Sequence, residues 1–272
     1  MPTSALRAVS SRVARRLLRR WTERQPPEWE ALECELDLWA KRGRHAAFWW
    51  RDDDDRVASP ALDRLLDLAA RFEMPLALAV IPVGAEPSLP ARLAREARVR
   101  VFQHGWDHVN RAASGLPAEL GPTRDPDEVA KQLLDGRQRL HNLFAARFLP
   151  VLVPPFNQLS GHLYGAVERV GYRFISSQGD FGCFPLASRN THLDVIDWQR
   201  NAVADPSAVV RSALAALKLR RLGIVSPGLP VGMVTHHLVH DTAVWHLVEE
   251  LLRRVAPHPA IDRPSIERIF AA

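Results

Sequence analysis

Ala46-Ala47-Phe48-Trp49-Trp50-Arg51-Asp52-Asp53-Asp54-Asp55 is the stretch on which the reading of this chain turns. Five apolar residues run into four carboxylates, with one arginine between them. An aromatic-rich apolar run of this length reads as a buried strand, and strands buried on both faces belong to parallel sheets. In parallel α/β folds the reactive side chains sit where strands end at their carboxyl side. Four adjacent carboxylates repel one another, and they are better tolerated in water, beside a helix N-terminus or around a cation. Taken alone, the run is equally readable as a solvated acidic turn, with Ser59-Pro60 opening the next helix.

Outward from this stretch, strand and helix patterns alternate. Helices are expected at about Glu28–Lys41 and over 60–72, where Leu62, Leu65, Leu66 and Leu68 recur at helical spacing. Strand Pro75–Ile81, a helix around Ala91–Glu96 and strand Arg98–Gln103 follow. Asp125-Pro126 supplies a capping Asp and a first-turn Pro to a long helix ending near Arg147. Then come strand Leu149–Val153, helix Leu159–Val170 closed by Gly171, and strands Tyr172–Ser176 and Leu193–Asp197. Helix Pro206–Arg220, strand Val231–Thr235, helix Ala243–Val255 and a short helix from Pro264 complete the chain. Repeated β-α units imply parallel strands with right-handed crossovers. The expected architecture is an incomplete, seven-stranded (β/α) barrel, with an open doubly wound sheet as the alternative. No G-x-G-x-x-G follows a strand, which argues against a dinucleotide fold.

The 272 residues suit one barrel-sized domain over 45–272, preceded by a helical extension over 1–44. The net charge of +5 is concentrated, because residues 1–24 hold seven arginines and one acid. The rest of the chain is close to neutral, so no diffuse basic face for nucleic acid is expected. Residues 4–24 read as an amphipathic helix, with Leu6, Val9, Val13, Leu17 and Trp21 on one face. Docking on the main domain is the first reading of this helix, and contact with an anionic membrane surface or an acidic partner the second. No apolar run reaches the ~20 residues of a membrane span. No signal-peptide pattern is present either, so a cytoplasmic protein is expected. Cys34 and Cys183 are far apart and outside any C-x-x-C pattern, and they read as free thiols.

The chemistry is carried by Gln103-His104-Gly105-Trp106-Asp107-His108, at the end of a strand. Histidines at i and i+4 meet on one face if this turn is helical, and can close on one cation with a carboxylate from a neighbouring strand. Two histidines and one carboxylate with an open position form a catalytic zinc environment, and also a non-haem iron one. The loop Val109–Arg124 that follows is long enough to serve as a lid.

With these motifs the chain resembles the polysaccharide deacetylase (NodB homology) family over about residues 45–255. In that family a T-F-D-D-G motif provides a general base and a metal ligand. The resemblance implies Asp52 as base and Asp53 as ligand, with Asp53/Asp54 as the alternative register. The H-[ST]-x-x-H metal motif corresponds to His104 and His108, with Gly105 in place of the hydroxyl residue. Val153-Pro154-Pro155-Phe156 echoes R-x-P-Y but lacks the arginine that orients the base, for which Arg51 is the substitute within reach. D-x-x-D-W corresponds to Asp194–Trp198, and the histidine serving as general acid corresponds to His236, with His237 as the alternative. Phe156, Asn157, Asp197 and Trp198 are the implied substrate-binding residues. The implied cofactor is one divalent ion, zinc by expectation. The implied activity is removal of an acetyl group from an N-acetylated sugar or related carbohydrate amide. Competing expectations are a degenerate glycan-binding member of the same fold and an iron enzyme using the same His/His/Asp site.

Overall fold

The computed structural model describes residues 29–180 and 186–271. The expected amphipathic helix over 4–24 and Cys183 lie outside them. Among the described residues no helix is long and apolar enough to cross a membrane.

Strand β1 (Ala46–Asp55) is the centre of a parallel sheet and runs through the whole acidic stretch. On one side it pairs with β2 (Leu76–Val80), then β3 (Val99–His104), β4 (Phe148–Val153) and the short β5 (Phe174–Ile175). The run Ala187–Asp194 comes next. Its first part, β6 (Ala187–Ser188), pairs with β5, Thr191 bridges to Gln178, and its last part, β7 (Leu193–Asp194), pairs with the strand Val231–Thr235. That strand returns to the other side of β1. Seven strand positions thus surround one interior, as the β-α alternation led us to expect. The run Leu193–Asp197 is not one strand. It breaks at Val195, and β8 (Ile196–Asp197) instead forms a small antiparallel hairpin with β9 (Ala202–Val203). Val231–Thr235 is therefore β10, and β11 (Ile261–Asp262) pairs with the first residues of β1.

Alternation along β1 divides the core. Phe48 and Trp50 face outward, against Leu62, Leu65 and Leu66 of the helix Pro60–Arg71. Trp49 faces inward, among Ala77, Ala79, Phe102, Val151 and Phe174. The small alanines leave room for the large rings. At Gly232 a Cβ would lie 2.5 Å from Trp49 Nε1, so only glycine lets β10 pass beside that ring. Phe270, after the terminal helix Ile266–Ile269, fills the interior from the end opposite the strands' carboxyl termini. Its ring meets Trp49, Phe102 and Phe174 edge-on at centroid distances of 5.3, 4.8 and 5.5 Å.

The outer helices, in chain order, are α1 (Trp29–Ala40), α2 (Pro60–Arg71), α3 (Ser88–Leu93), α4 (Pro126–Phe144), α5 (Tyr164–Arg169), α6 (Pro206–Arg221), α7 (Thr242–Val255) and α8 (Ile266–Ile269). The caps legible in the sequence are formed. Ser59 Oγ accepts from Leu62 N at 3.0 Å, and Asp125 accepts from Asp127 N and Glu128 N. Leu32, Leu36 and Trp39 of α1 belong to the main core, and Arg221 of α6 pairs with the buried Glu35.

A buried ionic network holds the run Ala187–Asp194 to β10 and α6. Arg220 donates to both oxygens of Asp180, at 2.6 and 3.1 Å, and to Leu229 O. Gly232 N donates to His192 Nδ1, so His192 Nε2 carries the proton that it gives to Asp180 at 2.9 Å. Burial pushes the Asp180 carboxyl up, but His192 and Arg220 outweigh it and hold the group well below the usual carboxylate range. Asp180→Asn leaves a buried cation unpaired and is expected to cost about 3–5 kcal/mol in urea unfolding. Because the folded pKa is depressed, this contribution is present above the ordinary carboxylate range and is lost as pH falls through the folded value. The gap between wild type and variant should therefore be constant near neutral pH and narrow below about pH 4.

Candidate metal centre and active site

The carboxyl ends of β1, β3, β4 and β10 meet at one mouth of the barrel. The decisive local feature is a β-bulge in β1. Pairing with β2 shifts between Asp53 and Asp55, and Asp54 takes a left-handed φ of 76°. Up to Asp53 the alternation holds, so Arg51 and Asp53 face the interior and Asp52 faces outward. The bulge lifts Asp54 out of the alternation and turns it to the mouth.

There Asp54 Oδ1 lies 3.2 Å from His104 Nε2 and 3.3 Å from His108 Nε2. Ligands about 2.0–2.2 Å from a shared ion stand roughly this far apart. Asp54 Oδ1 is buried and receives no hydrogen bond. His104 Nδ1 contacts Val153 O at 3.0 Å, which fixes the proton on Nδ1 and leaves the Nε2 lone pair facing Asp54. Burial pushes the Asp54 carboxyl up, and without an ion the facing imidazoles, when protonated, outweigh it and hold the group below the usual carboxylate range. Two imidazole nitrogens and one ionised carboxylate, one oxygen of which lacks any partner, fit a divalent ion.

The histidines do not meet on a helical turn. Gly105 at φ 55° and His108 at φ 62° curl the segment, and the two rings come within 4.9 Å of each other. Glu119 organises this curl. It is fully buried and accepts from Trp106 N at 2.7 Å and His108 N at 2.6 Å. A Cβ at residue 105 would lie 2.7 Å from both Glu119 oxygens and 2.4 Å from Pro155. The glycine that replaces the hydroxyl residue of the resembled motif therefore makes room for Glu119, whose role the sequence reading missed. Only the unusual carboxylate in an otherwise apolar Pro117–Leu120 segment could have signalled it. The loop 109–124 is pinned rather than lid-like: Asn110 Oδ1 accepts from Ala112 N and Ala118 N, Arg111 pairs with Asp107, and Leu120 bridges to Leu159.

Asp53 does not stand between the histidines. Arg51 grips it through two bonds, Nε to Oδ1 at 2.7 Å and Nη2 to Oδ2 at 2.9 Å. Arg51 in turn donates to Ser176 Oγ and Ser176 O at the far side of the barrel. A fork-to-fork contact of this kind fixes the plane of the carboxylate. Arg51 on β1 thus holds the carboxylate two residues after it, while the β4 position Val153 offers no cation.

Asp52 belongs elsewhere. It is fully buried on the outer face of β1, where it accepts from His237 Nδ1 at 2.5 Å, His237 N at 3.1 Å and the Thr235 hydroxyl. Burial raises its pKa, but His237 more than offsets this. Asp52 as base and Asp53 as ligand is the register that this geometry corrects: β1 alternation sends Asp52 away from the mouth, and the bulge brings Asp54 to it.

His236 is at the mouth and His237 is not. His236 Nε2 lies 3.9 Å from Asp53 Oδ2, while His237 is locked on Asp52. The Trp198 ring packs edge-on against His236 at 4.5 Å and donates Nε1–H to Asp194 at 3.0 Å. Trp198 keeps half its surface exposed. Asp197 caps the turn that follows β8, accepting from Gln199 N and Arg200 N, so it is Asp194 that supports the His236 side. Phe156 and Asn157 both adopt left-handed φ near 57°, and the Phe156 ring lies 4.4 Å from that of His108. Asn157 is exposed.

No family model and no curated relative matches the chain. Its structure is similar to solved ones. A Mycobacterium smegmatis protein assigned as a polysaccharide deacetylase superposes with a TM-score of 0.57 at 14% identity, covering 84% of this chain and 89% of its own. A peptidoglycan deacetylase from Bacillus subtilis gives 0.54 at 14%, covering 83% and 90%. A family 4 acetyl xylan esterase from Clostridium thermocellum, solved with a cobalt ion, gives 0.53 at 14%, covering 82% and 90%. At this identity the likeness establishes a shared fold.

His104→Ala, His108→Ala or Asp54→Asn should each remove most of the metal bound at this mouth, as read by equilibrium dialysis with elemental analysis, whereas Asp53→Asn should retain it. Glu119→Gln, which loses an acceptor for His108 N, should weaken metal affinity by roughly 10–100-fold. Unchanged affinity in Glu119→Gln would show that the curl holds without it.

Proposed function

We propose that this chain, on the polysaccharide deacetylase fold that it shares, is a metal-dependent hydrolase that removes the acetyl group from an N-acetylated sugar. The observation that carries the reading is the separation of two carboxylates by the bulge: Asp54 with the histidine pair, and Asp53 beside it, held by Arg51 and free of that pair. Amide hydrolysis needs this division, because a permanent metal ligand cannot also accept a proton. A divalent ion bound by Asp54, His104 and His108 supplies an acidified water and a Lewis acid for the acyl oxygen.

The chain's own groups handle the protons. Asp53, with its plane set by Arg51, takes the proton from water as the oxygen adds to the acetyl carbon. The backbone N–H near Phe156 is the donor that we assign to the developing oxyanion. His236 gives a proton to the departing nitrogen as the C–N bond breaks, because an amide anion is not a viable leaving group. Acetate and a free amine result. His236 Nε2 lies 3.9 Å from Asp53 Oδ2, so the base and the acid of this reading share one mouth. Asp194, through Trp198, supports the histidine side, and the exposed face of Trp198 offers a platform for the apolar face of a sugar ring. The reading as a degenerate glycan binder starts from the missing arginine; the hold of Arg51 on Asp53 supports the enzyme reading over it. The iron reading shares the triad; it requires oxygen uptake without acetate.

Acetate release from small N-acetylated sugars by the metal-loaded protein tests the proposal. Asp53→Asn and His236→Ala should each lower turnover by ~10²–10⁴-fold with metal content unchanged. Arg51→Gln should lower turnover while leaving the metal in place. Wild-type turnover in Asp53→Asn would remove Asp53 as base. Oxygen consumption by an iron-loaded form, without acetate, would replace the hydrolase reading.

A further inference from the structure

On the outer face of β1, under α2 and the turn His237–Val239, lies a second cluster that the proposed reaction leaves unused. It consists of Asp52, Asp55 and His237, whose ligand atoms all lie within 4.8 Å of one another. All three are at most 1% exposed. Asp52 is fully engaged, but its neighbours are not. In the neutral ring Asp52 takes the Nδ1–H of His237 and the lone pair falls on Nε2, which is buried and has no partner. Both oxygens of Asp55 are likewise buried without a partner. His237 Nε2 stands 3.8 Å from Asp55 Oδ1. That gap is too long for a hydrogen bond. Two ligands each about 2.1 Å from a shared ion can span it.

Charge points the same way. With the imidazole neutral, as a metal ligand must be, the two carboxylates leave a double negative charge in a site without solvent. A divalent ion cancels it. The arrangement also repeats the device at the mouth: Val153 O holds Nδ1 of His104 and turns Nε2 to the ion, and Asp52 does the same for His237.

We propose that Asp55 and His237, oriented by Asp52, form a second and fully buried site for a divalent transition ion of the zinc class, for which imidazole and carboxylate are the matching donors. This ion is structural. It ties the end of β1, one residue beyond Asp54, to the turn after β10, one residue beyond His236. It thereby joins the two strands that carry the metal-facing and acid-facing sides of the mouth.

The test is a metal count that does not depend on turnover. Chelator-stripped protein reloaded with zinc or cobalt and desalted should hold two ions per chain. His104→Ala should keep one, His237→Gln should keep the other, and the double variant should bind none. Saturation of the wild type at one ion overturns the proposal, as does a second ion that His237→Gln leaves in place. Should His237→Gln fail to fold, anomalous scattering from cobalt-loaded wild-type crystals decides. A peak between Asp55 and His237 Nε2 supports the site, and a peak at Asp54 alone overturns it. Loss of deacetylase activity in the assay above has no bearing on this count, so the two readings stand or fall separately.

Discussion

One residue in a left-handed conformation governs the mouth of this barrel. Four consecutive aspartates on a regular strand would alternate between two faces, two and two. The bulge at Asp54 changes this. Asp53 remains on the interior face with Arg51, Asp54 turns to the histidine pair, and Asp52 and Asp55 both fall outside. A positive φ costs a non-glycine residue of order 1 kcal/mol or more, and short polar side chains tolerate it best. The conformation persists because both flanks are held: Asp52 by His237 and Thr235 from β10, Asp53 by a guanidinium anchored at Ser176.

The same division answers the electrostatic problem of the run. Four like charges in adjacent positions cannot share one buried environment. Each of the first three has its own counter-group: His237 for Asp52, Arg51 for Asp53, the pair His104 and His108 for Asp54. These partners come from β10, from β1 itself and from the end of β3. The strand order that places β10 beside β1, and β3 one strand beyond on the other side, therefore also brings these partners to the stretch. Parallel pairing brings all these strand ends to one side of the sheet, so a site assembled from residues far apart in the chain follows from the topology.

The support around the paired histidines shows a second economy. A glycine at residue 105 permits the curl, and the space vacated by its side chain is filled by a buried carboxylate from a loop fourteen residues later. Glu119 sits in an environment that pushes its pKa up through burial, and the N–H groups of Trp106 and His108 only partly counter this. The loop that carries it is consequently a strut for the site and not a cover over it.

Much of this was legible in the sequence because it depends on local pattern. The β-α alternation, the caps at Ser59 and Asp125, the buried strand entering an acidic run, and the histidine pair at a strand end all follow from periodicity and residue chemistry within short windows. Which aspartate meets the histidines did not follow. Period-two alternation assigns faces only while the strand is regular, and four identical side chains give no mark of where a bulge falls. Arg51 was visible as a candidate for the place of the arginine absent at Val153, but its grip on Asp53 and on Ser176 depends on β1 and the end of β5 facing each other across the interior. Glu119 left only a lone carboxylate in an apolar segment, and the outward pair Asp55–His237 no local mark at all, because the partners of Glu119 lie 11 and 13 positions away and Asp55 and His237 are 182 apart. Sequence alone determined the elements and the kinds of group available. Tertiary structure decided which groups meet, because a single backbone angle at Asp54 sets the directions of Asp54 and Asp55.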